Sequence, residues 1–377
     1  MRFVVAPDSY KGSLTASEVA RIIAGAIREE IPGAEALEFP MADGGEGTVE
    51  ALVAATGGRL RRMEASGPLL APVQTAYGEL GDGRTAALEV ANVAGLTMVP
   101  PADRNPLYTS SRGLGELMKA ALDEGYRRFI VGLGGSATND GGMGMLEALG
   151  VRFLDASGTP VRPVGGELER VAAVDWSGLD GRIAEADILV ASDVDNPLCG
   201  PRGASAVFGP QKGATPELVA RLDEALSAWS KQVEAACGKR IAEAPGAGAA
   251  GGLGFALMAL GGRLSSGAAI VAETIGLTKA LRAGDWVITG EGQSDHQTLH
   301  GKVPYYVAQL AQRCGARPIL LSGSLGAGSE ALFAAFVSVH AAVPRPMPVE
   351  EAMADATALL ERAARSIARL IRSASGG

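Results

Sequence analysis

The chain is short of cysteine, histidine, aromatic residues and clustered positive charge, and each shortage removes a class of function. Three cysteines in 377 residues, Cys199, Cys237 and Cys314, form no close pair and no metal-ligand spacing. They argue against a disulfide framework and point to ordinary thiols in a reducing compartment. The histidines are only His296, His300 and His340, so a Ser-His-Asp hydrolase has little to draw on. His296 and His300 stand four apart without the glutamate of a zinc-protease helix. Neither Gly-x-Ser-x-Gly nor Gly-x-x-x-x-Gly-Lys-Ser/Thr occurs, which excludes a hydrolase elbow and a P-loop. The net charge is -8 and basic residues come at most in pairs apart from arginines scattered on the last helix. A nucleic-acid partner needs a clustered positive surface and is not expected. Long apolar runs are absent too. Ile319–Val343 is broken by glycines and Glu330, and Asp8 arrives too early for a signal peptide. The expectation is a soluble cytoplasmic protein without a membrane partner.

Glycine, in contrast, is plentiful at 52 residues. It gathers where β-branched runs end and helices begin: Asp43–Gly47, Gly132–Gly144, Gly246–Gly254 and Gly290–Gly292. A strand, a glycine-rich turn and a helix N-terminus form a common α/β device for holding anions. The length suits two domains, and 47% hydrophobic residues suit a large core.

The periodicity predicts strands at Phe3–Ala6 and Ala36–Phe39. Helices are predicted from a Ser13 or Thr15 cap to about Ile31 and over Thr48–Thr56. Near the end it predicts Trp286–Thr289, helix Val303–Arg313, strand Pro318–Ser322, helix Glu330–Phe336, strand Val337–Ala342 and helix Val349–Arg372. Five short strands separated by helices suit a flavodoxin-like, doubly wound parallel sheet. Residues 59–94 instead alternate as antiparallel hairpins around Gly81-Asp82-Gly83. Helix Ser111–Glu124, strands Phe129–Leu133 and Ile188–Ser192, and helix Pro216–Ala236 follow. The predicted organisation is therefore α/β with two domains. Residues 1–64 plus 285–377 form the flavodoxin-like domain, and 65–284 an inserted mixed α/β domain, with an active site in a cleft between them.

Five loops could carry chemistry. In Pro7–Leu14, Lys11 and Ser13 sit at a helix N-terminus, where free amides and the dipole favour a phosphate or carboxylate; a capped helix with a solvated lysine is the plainer alternative. In Met41–Thr48, Asp43 could hold magnesium, or it could cap the next helix with Glu46 closing a capping box. In Ile130–Gly142, Gly134 and Gly135 let amides converge on phosphate while Ser136, Thr138 and Asn139 add donors, and Asp140 could hold magnesium or orient a hydroxyl. The same stretch loosely fits a dinucleotide fingerprint, Gly132-x-Gly134-x-x-Ala137 with Asp155 further on, which supports a nicotinamide-dependent dehydrogenase as the rival reading. In Ala191–Leu198, Asp193 is the first choice for the base that accepts a substrate hydroxyl proton. Asp195 and Asn196 would lie near metal or substrate, and Lys212 downstream offers a cation. An Asp-Asn-Pro turn is the alternative there. In Thr289–Lys302, the candidates are Glu291, Asp295 and Lys302.

Taken together, the segments Pro7–Leu14, Pro40–Thr48, Gly132–Leu149, Ala191–Ala214, Pro245–Gly254 and Thr289–Pro304 resemble the signature stretches of the bacterial glycerate kinase family, in that family's order. Tyr10 stands where phenylalanine is more usual, and Gln293 where arginine is as frequent. The resemblance implies ATP and magnesium, D-glycerate as acceptor, and 2-phosphoglycerate as the favoured product. It also implies a flavodoxin-like and a restriction-endonuclease-like domain. Lys11, Asp193 and Asp195 would then be catalytic. Ser13, Gly134, Gly135, Ser136, Asn139, Asn196, Lys212, Glu291, Asp295 and Lys302 would bind substrate or phosphate, and Asp43 and Asp140 would take the metal. An NAD(P)-dependent hydroxy-acid dehydrogenase is the alternative, and a non-catalytic sugar-acid sensor ranks last. A homodimer is compatible with the sequence.

Overall fold

The computed structural model describes residues 1–374, and the chain forms two compact units. The first comprises Met1–Asp43, Glu50–Gly57 and the chain from Ala268 onward; the second comprises Gly44–Val49 and Gly58–Gly267. The expected boundaries lay at 64/65 and 284/285. Strand Arg59–Ser66 sits in the second unit because it pairs antiparallel with Pro72–Glu79 along its whole length.

The first unit is built on five parallel strands in the order Ser338–Ala341, Arg317–Ser322, Trp286–Thr289, Arg2–Val5, Glu35–Glu38. Counted along the chain this is 5-4-3-1-2, the flavodoxin-like order, with its reversal between Arg2–Val5 and Trp286–Thr289. Helix Ala16–Glu30 starts at Thr15, whose side chain and Glu18 form a reciprocal capping box, so Thr15 rather than Ser13 is the cap. Its buried Val19, Ile23 and Ile27 recur at helical spacing. They share a core with Leu360, Ala364, Ile367 and Ile371 of helix Ala356–Ala374, each large side chain contributing about 1.5–3 kcal/mol. Two expectations are corrected here. The C-terminal helix is two helices, Val349–Ala354 and Ala356–Ala374, because Asp355 leaves the helical path and caps the first. The segment expected as helix Glu330–Phe336 is a 3-10 turn, Ser329–Ala334.

The second unit carries a six-stranded sheet, Arg263–Ser265, Asp187–Ala191, Arg128–Gly132, Thr85–Glu89, Pro72–Glu79, Arg59–Ser66. The first four are parallel and the last two form an antiparallel edge. Trp229, on helix Pro216–Cys237, is buried with its ring 5.3 Å from Phe255 and 6.3 Å from Phe153. Among the described residues no helix is long and apolar enough to cross a membrane.

Candidate active site

Open parallel sheets bind ligands beyond the carboxyl ends of their strands, where the strand order reverses. In the first unit that position belongs to Asp8 and Glu291, which follow the two strands flanking the reversal. The ladder continues past both ends, with Asp8 N–H donating to Gly290 O at 2.9 Å. Met41 N–H donates to Pro7 O at 2.8 Å, which brings in the loop ending at Asp43. Gly290 must be glycine, since a Cβ would lie 1.7 Å from Leu321 O.

The result is a crowd of charges. Burial, then the neighbouring Asp43 carboxylate, push the Asp8 carboxyl up to about 7, against the Ser9 N–H at 2.7 Å and the Lys11 charge. Buried Glu291 is better served. Its carboxylate accepts from Ser294 Oγ at 3.0 Å, Thr298 Oγ1 at 2.7 Å and Lys302 Nζ at 3.2 Å. Burial and the Glu291 charge also push the Tyr10 phenol up, and its hydroxyl donates to Leu321 O at 2.6 Å. Lys11 is exposed. Ser13 closes a local turn, donating to Tyr10 O at 2.9 Å. Asp295 is engaged as a helix cap, accepting from Gln297 N–H at 2.8 Å in a capping box with Thr298.

In the second unit the loop after Arg128–Gly132 lies against the Gly44–Gly45 backbone. A Cβ on Gly132 would meet Gly44 O at 2.6 Å, and one on Gly134 would meet Gly45 Cα at 2.5 Å. The Gly134 amide is occupied, donating to Gly44 O at 2.9 Å, whereas Gly135 is exposed in a left-handed conformation. The helix beginning at Thr48 is held by buried Glu89, which accepts from Gly47 N–H at 3.0 Å and Val49 N–H at 3.1 Å.

Asp140, expected as a metal ligand, is engaged by the protein itself. It is fully buried, and its carboxylate accepts from Ser111 N–H and Oγ, both at 2.8 Å, Gly142 N–H at 3.1 Å and Gly144 N–H at 3.2 Å. Three of these donors meet one carboxylate oxygen and one the other, so the side chain ties Ser111 to the turn at Gly142–Gly144. Burial raises its carboxyl, and the Ser111 bonds work against that rise. Lys212 is buried as well. Its ammonium donates to Ser136 Oγ at 3.1 Å and Thr138 O at 2.6 Å. Burial lowers it to about 7, with the Asp140 charge opposing. Asn139, also buried, donates to Ser205 Oγ at 3.0 Å.

Strand Asp187–Ala191 ends before the two acids expected on its continuation. Asp193 is exposed and accepts from Gly267 N–H at 3.3 Å. Asp195 is exposed and pairs loosely with Arg202 at 3.4 Å. Asn196 donates to Arg202 O at 2.7 Å. Asp195 and Asn196 are thus both engaged by Arg202.

Among the described residues no three His, Cys, Asp or Glu side chains converge as a metal set. Magnesium needs fewer, commonly one or two carboxylates plus substrate phosphates. The Asp8–Asp43 pair fits that demand, because two carboxylates that repel each other are relieved by a cation. Asp8 and Glu89 are the residues that motif reading missed. The signal for Asp8 was its place at the end of the central strand, and for Glu89 a carboxylate closing the buried run Thr85–Glu89.

The dinucleotide alternative fails in structure. After Gly132 the chain takes three left-handed residues, Gly135, Gly141 and Gly142, and its next helix is the short Met143–Ala148. Asp155, the expected ribose acid, sits in a surface turn bonded to Ser157, Thr159 and Arg170.

Comparison with known proteins agrees with the reading from motifs. The pattern of the glycerate kinase family matches residues 3–372. A glycerate kinase of Bacillus subtilis (strain 168) is 47% identical over 376 residues, covering 99% of this chain and 98% of the relative. A glycerate 2-kinase of Escherichia coli (strain K12) is 48% identical over 326 residues, covering 86% of each chain. A crystal structure of a Salmonella typhimurium LT2 protein described as a glycerate kinase 2 superposes with a TM-score of 0.90 at 46% identity, covering 100% of this chain and 99% of that one. No likeness supports a dehydrogenase. With the match running through both units and through every loop described above, the chain belongs to the glycerate kinase family.

Proposed function

We propose that the protein transfers the γ-phosphoryl group of ATP to a hydroxyl of D-glycerate, with 2-phosphoglycerate as product. The observation that carries this reading is the 47% identity, over 376 residues, to a protein named glycerate kinase. The local geometry supports it through four groups. Lys11 is exposed in the loop between strand Arg2–Val5 and helix Ala16–Glu30, a suitable point charge for a phosphate or for the glycerate carboxylate. Gly135 offers exposed, left-handed backbone beside Ser136, suited to phosphate oxygens. Asp193, open to solvent at the end of a central strand, takes the hydroxyl proton. Phosphoryl transfer asks little more of such a base than alignment. Asp8 and Asp43 would hold magnesium, which when bound neutralises phosphate oxygens. Glu291 and Lys302 neutralise each other and keep that strand end in shape. The cytoplasm is the proposed place of action, and the three free cysteines suit it.

The test is ADP release from ATP and magnesium with D-glycerate, run beside L-glycerate, glycerol and no acceptor. ADP formed with D-glycerate alone is the expected result. Equal release with every acceptor, or none from folded protein, rejects the assignment.

A further inference from the structure

A fully buried lysine needs a reason, because an ammonium taken out of water costs several kcal/mol unless its surroundings replace the lost solvation. Lys212 is 2% exposed. It comes from the 3-10 turn Pro210–Lys212, and Gly213 closes that turn with φ of 91° so near Arg104 O that a Cβ would sit 2.1 Å away. The turn is thus built to aim one side chain inward. That side chain crosses 76 positions of sequence to reach Ser136 and 74 to reach Thr138.

What it holds there is informative. By donating to Ser136 Oγ, the ammonium occupies a lone pair of the hydroxyl and leaves the O–H free to donate elsewhere. By taking Thr138 O, it fixes the plane of the next peptide, whose N–H must point the opposite way. Other contacts brace the same few residues. Thr109 Oγ1 donates to Ala137 O at 3.2 Å, and Gly251 lies so close that a Cβ would be 2.0 Å from Thr138 O. Ala250, Gly251 and Gly252 are all left-handed there, and such backbone persists only where surrounding contacts impose it. Thr138 Oγ1 and Asn139 Oδ1 are buried without a partner, so the loop is not merely a saturated piece of core.

We propose that Lys212 is a positioning residue for phosphoryl transfer: its ammonium latches the Gly134–Asn139 loop through Ser136 and Thr138, setting the loop's donors before ATP arrives. This rests on the glycerate kinase reading above, but reverses the expectation that Lys212 itself touches phosphate. The latch is made entirely between the chain's own groups. Its loss therefore weakens ATP placement and leaves glycerate binding nearly unchanged.

Two variants test it, Lys212→Met and Ser136→Ala, with the double variant. Under the latch, Lys212→Met lowers kcat/KM for ATP about 100-fold, as a misplaced loop would, while KM for D-glycerate stays within about twofold of wild type. The double variant is no worse than Lys212→Met alone, because Ser136 acts in series with the lysine. Amide exchange over residues 132–142 without nucleotide speeds up in Lys212→Met by about tenfold or more. Unchanged exchange, or losses that add in the double variant, overturns the latch in favour of direct phosphate contact. Should Lys212→Met fail to fold, Ser136→Ala carries the exchange test alone: faster exchange supports the latch and unchanged exchange overturns it. If wild type forms no glycerate-dependent ADP, the kinase reading fails, while the nucleotide-free exchange still decides whether the latch exists.

Discussion

The loop after strand Arg2–Val5 and the loop after strand Arg128–Gly132 are placed alike, each at the carboxyl end of an interior parallel strand, yet they treat charge in opposite ways. In the first, Asp8 faces Asp43 with the Lys11 charge opposing, and the lysine itself is exposed. In the second, Asp140 and Lys212 are buried, and each is met by protein partners. A carboxylate crowded by a second carboxylate is relieved by a cation. One surrounded by partners holds shape. Composition cannot separate the two, since both loops read as glycines, hydroxyls and an acid.

Substitutions in the two loops give opposite expected outcomes. The largest effect is expected from Asp43→Asn, which removes half of the carboxylate pair. Turnover at saturating ATP falls about 10³-fold and the magnesium requirement shifts upward. Unaltered magnesium dependence in a steady-state titration would place the metal elsewhere. Next comes Asp140→Ala, which leaves buried amides and the Ser111 hydroxyl without an acceptor. Stability drops by about 3 kcal/mol or more, read by denaturant unfolding, whereas the magnesium dependence of any folded fraction is unchanged. A shifted magnesium curve would return Asp140 to the metal.

A subtler expectation concerns pH. The Asp8 carboxyl, at about 7 when folded against 3.8 in the reference state, binds more protons folded than unfolded between those values. Stability from this group is therefore present at low pH and lost as pH rises through about 7. Asp8→Asn should raise the melting temperature of the metal-free protein by about 2–4 °C near pH 8 and leave it unchanged near pH 4. Saturating magnesium narrows the gap at the higher pH by stabilising the wild-type pair. A gap of equal size at both pH values would contradict this assignment of charge. The smallest effect belongs to Asp195→Asn. An exposed acid with an exposed arginine partner contributes little, so kcat/KM stays within about twofold; a loss of about 100-fold would restore it to the catalytic set.

Much of the framework was legible. Helices Thr48–Thr56 and Val303–Arg313 and strand Trp286–Thr289 fall on the residues expected, because their apolar spacing and flanking turns agree. The glycine loops were legible for a physical reason as well: Gly132, Gly134 and Gly290 stand where backbone approaches too closely for a Cβ. What escaped was direction. Asp140 reads as a metal ligand in sequence, whereas in the fold Ser111, 29 residues earlier, supplies two of the donors that its carboxylate accepts. Asp8 drew less notice than Lys11, since its partner Asp43 lies on another loop. Asp195 lost its place beside Asp193 because the strand ends at Ala191, and no period-2 pattern marks where a strand stops.

The most direct measurement is proton-coupled phosphorus NMR of the product formed from D-glycerate, ATP and magnesium. The expected result is a new acceptor-dependent phosphomonoester signal, split into a doublet by the one hydrogen on C2. A triplet would place the phosphate on C3 and contradict the proposed product. No new phosphomonoester from folded protein would contradict the glycerate kinase assignment itself.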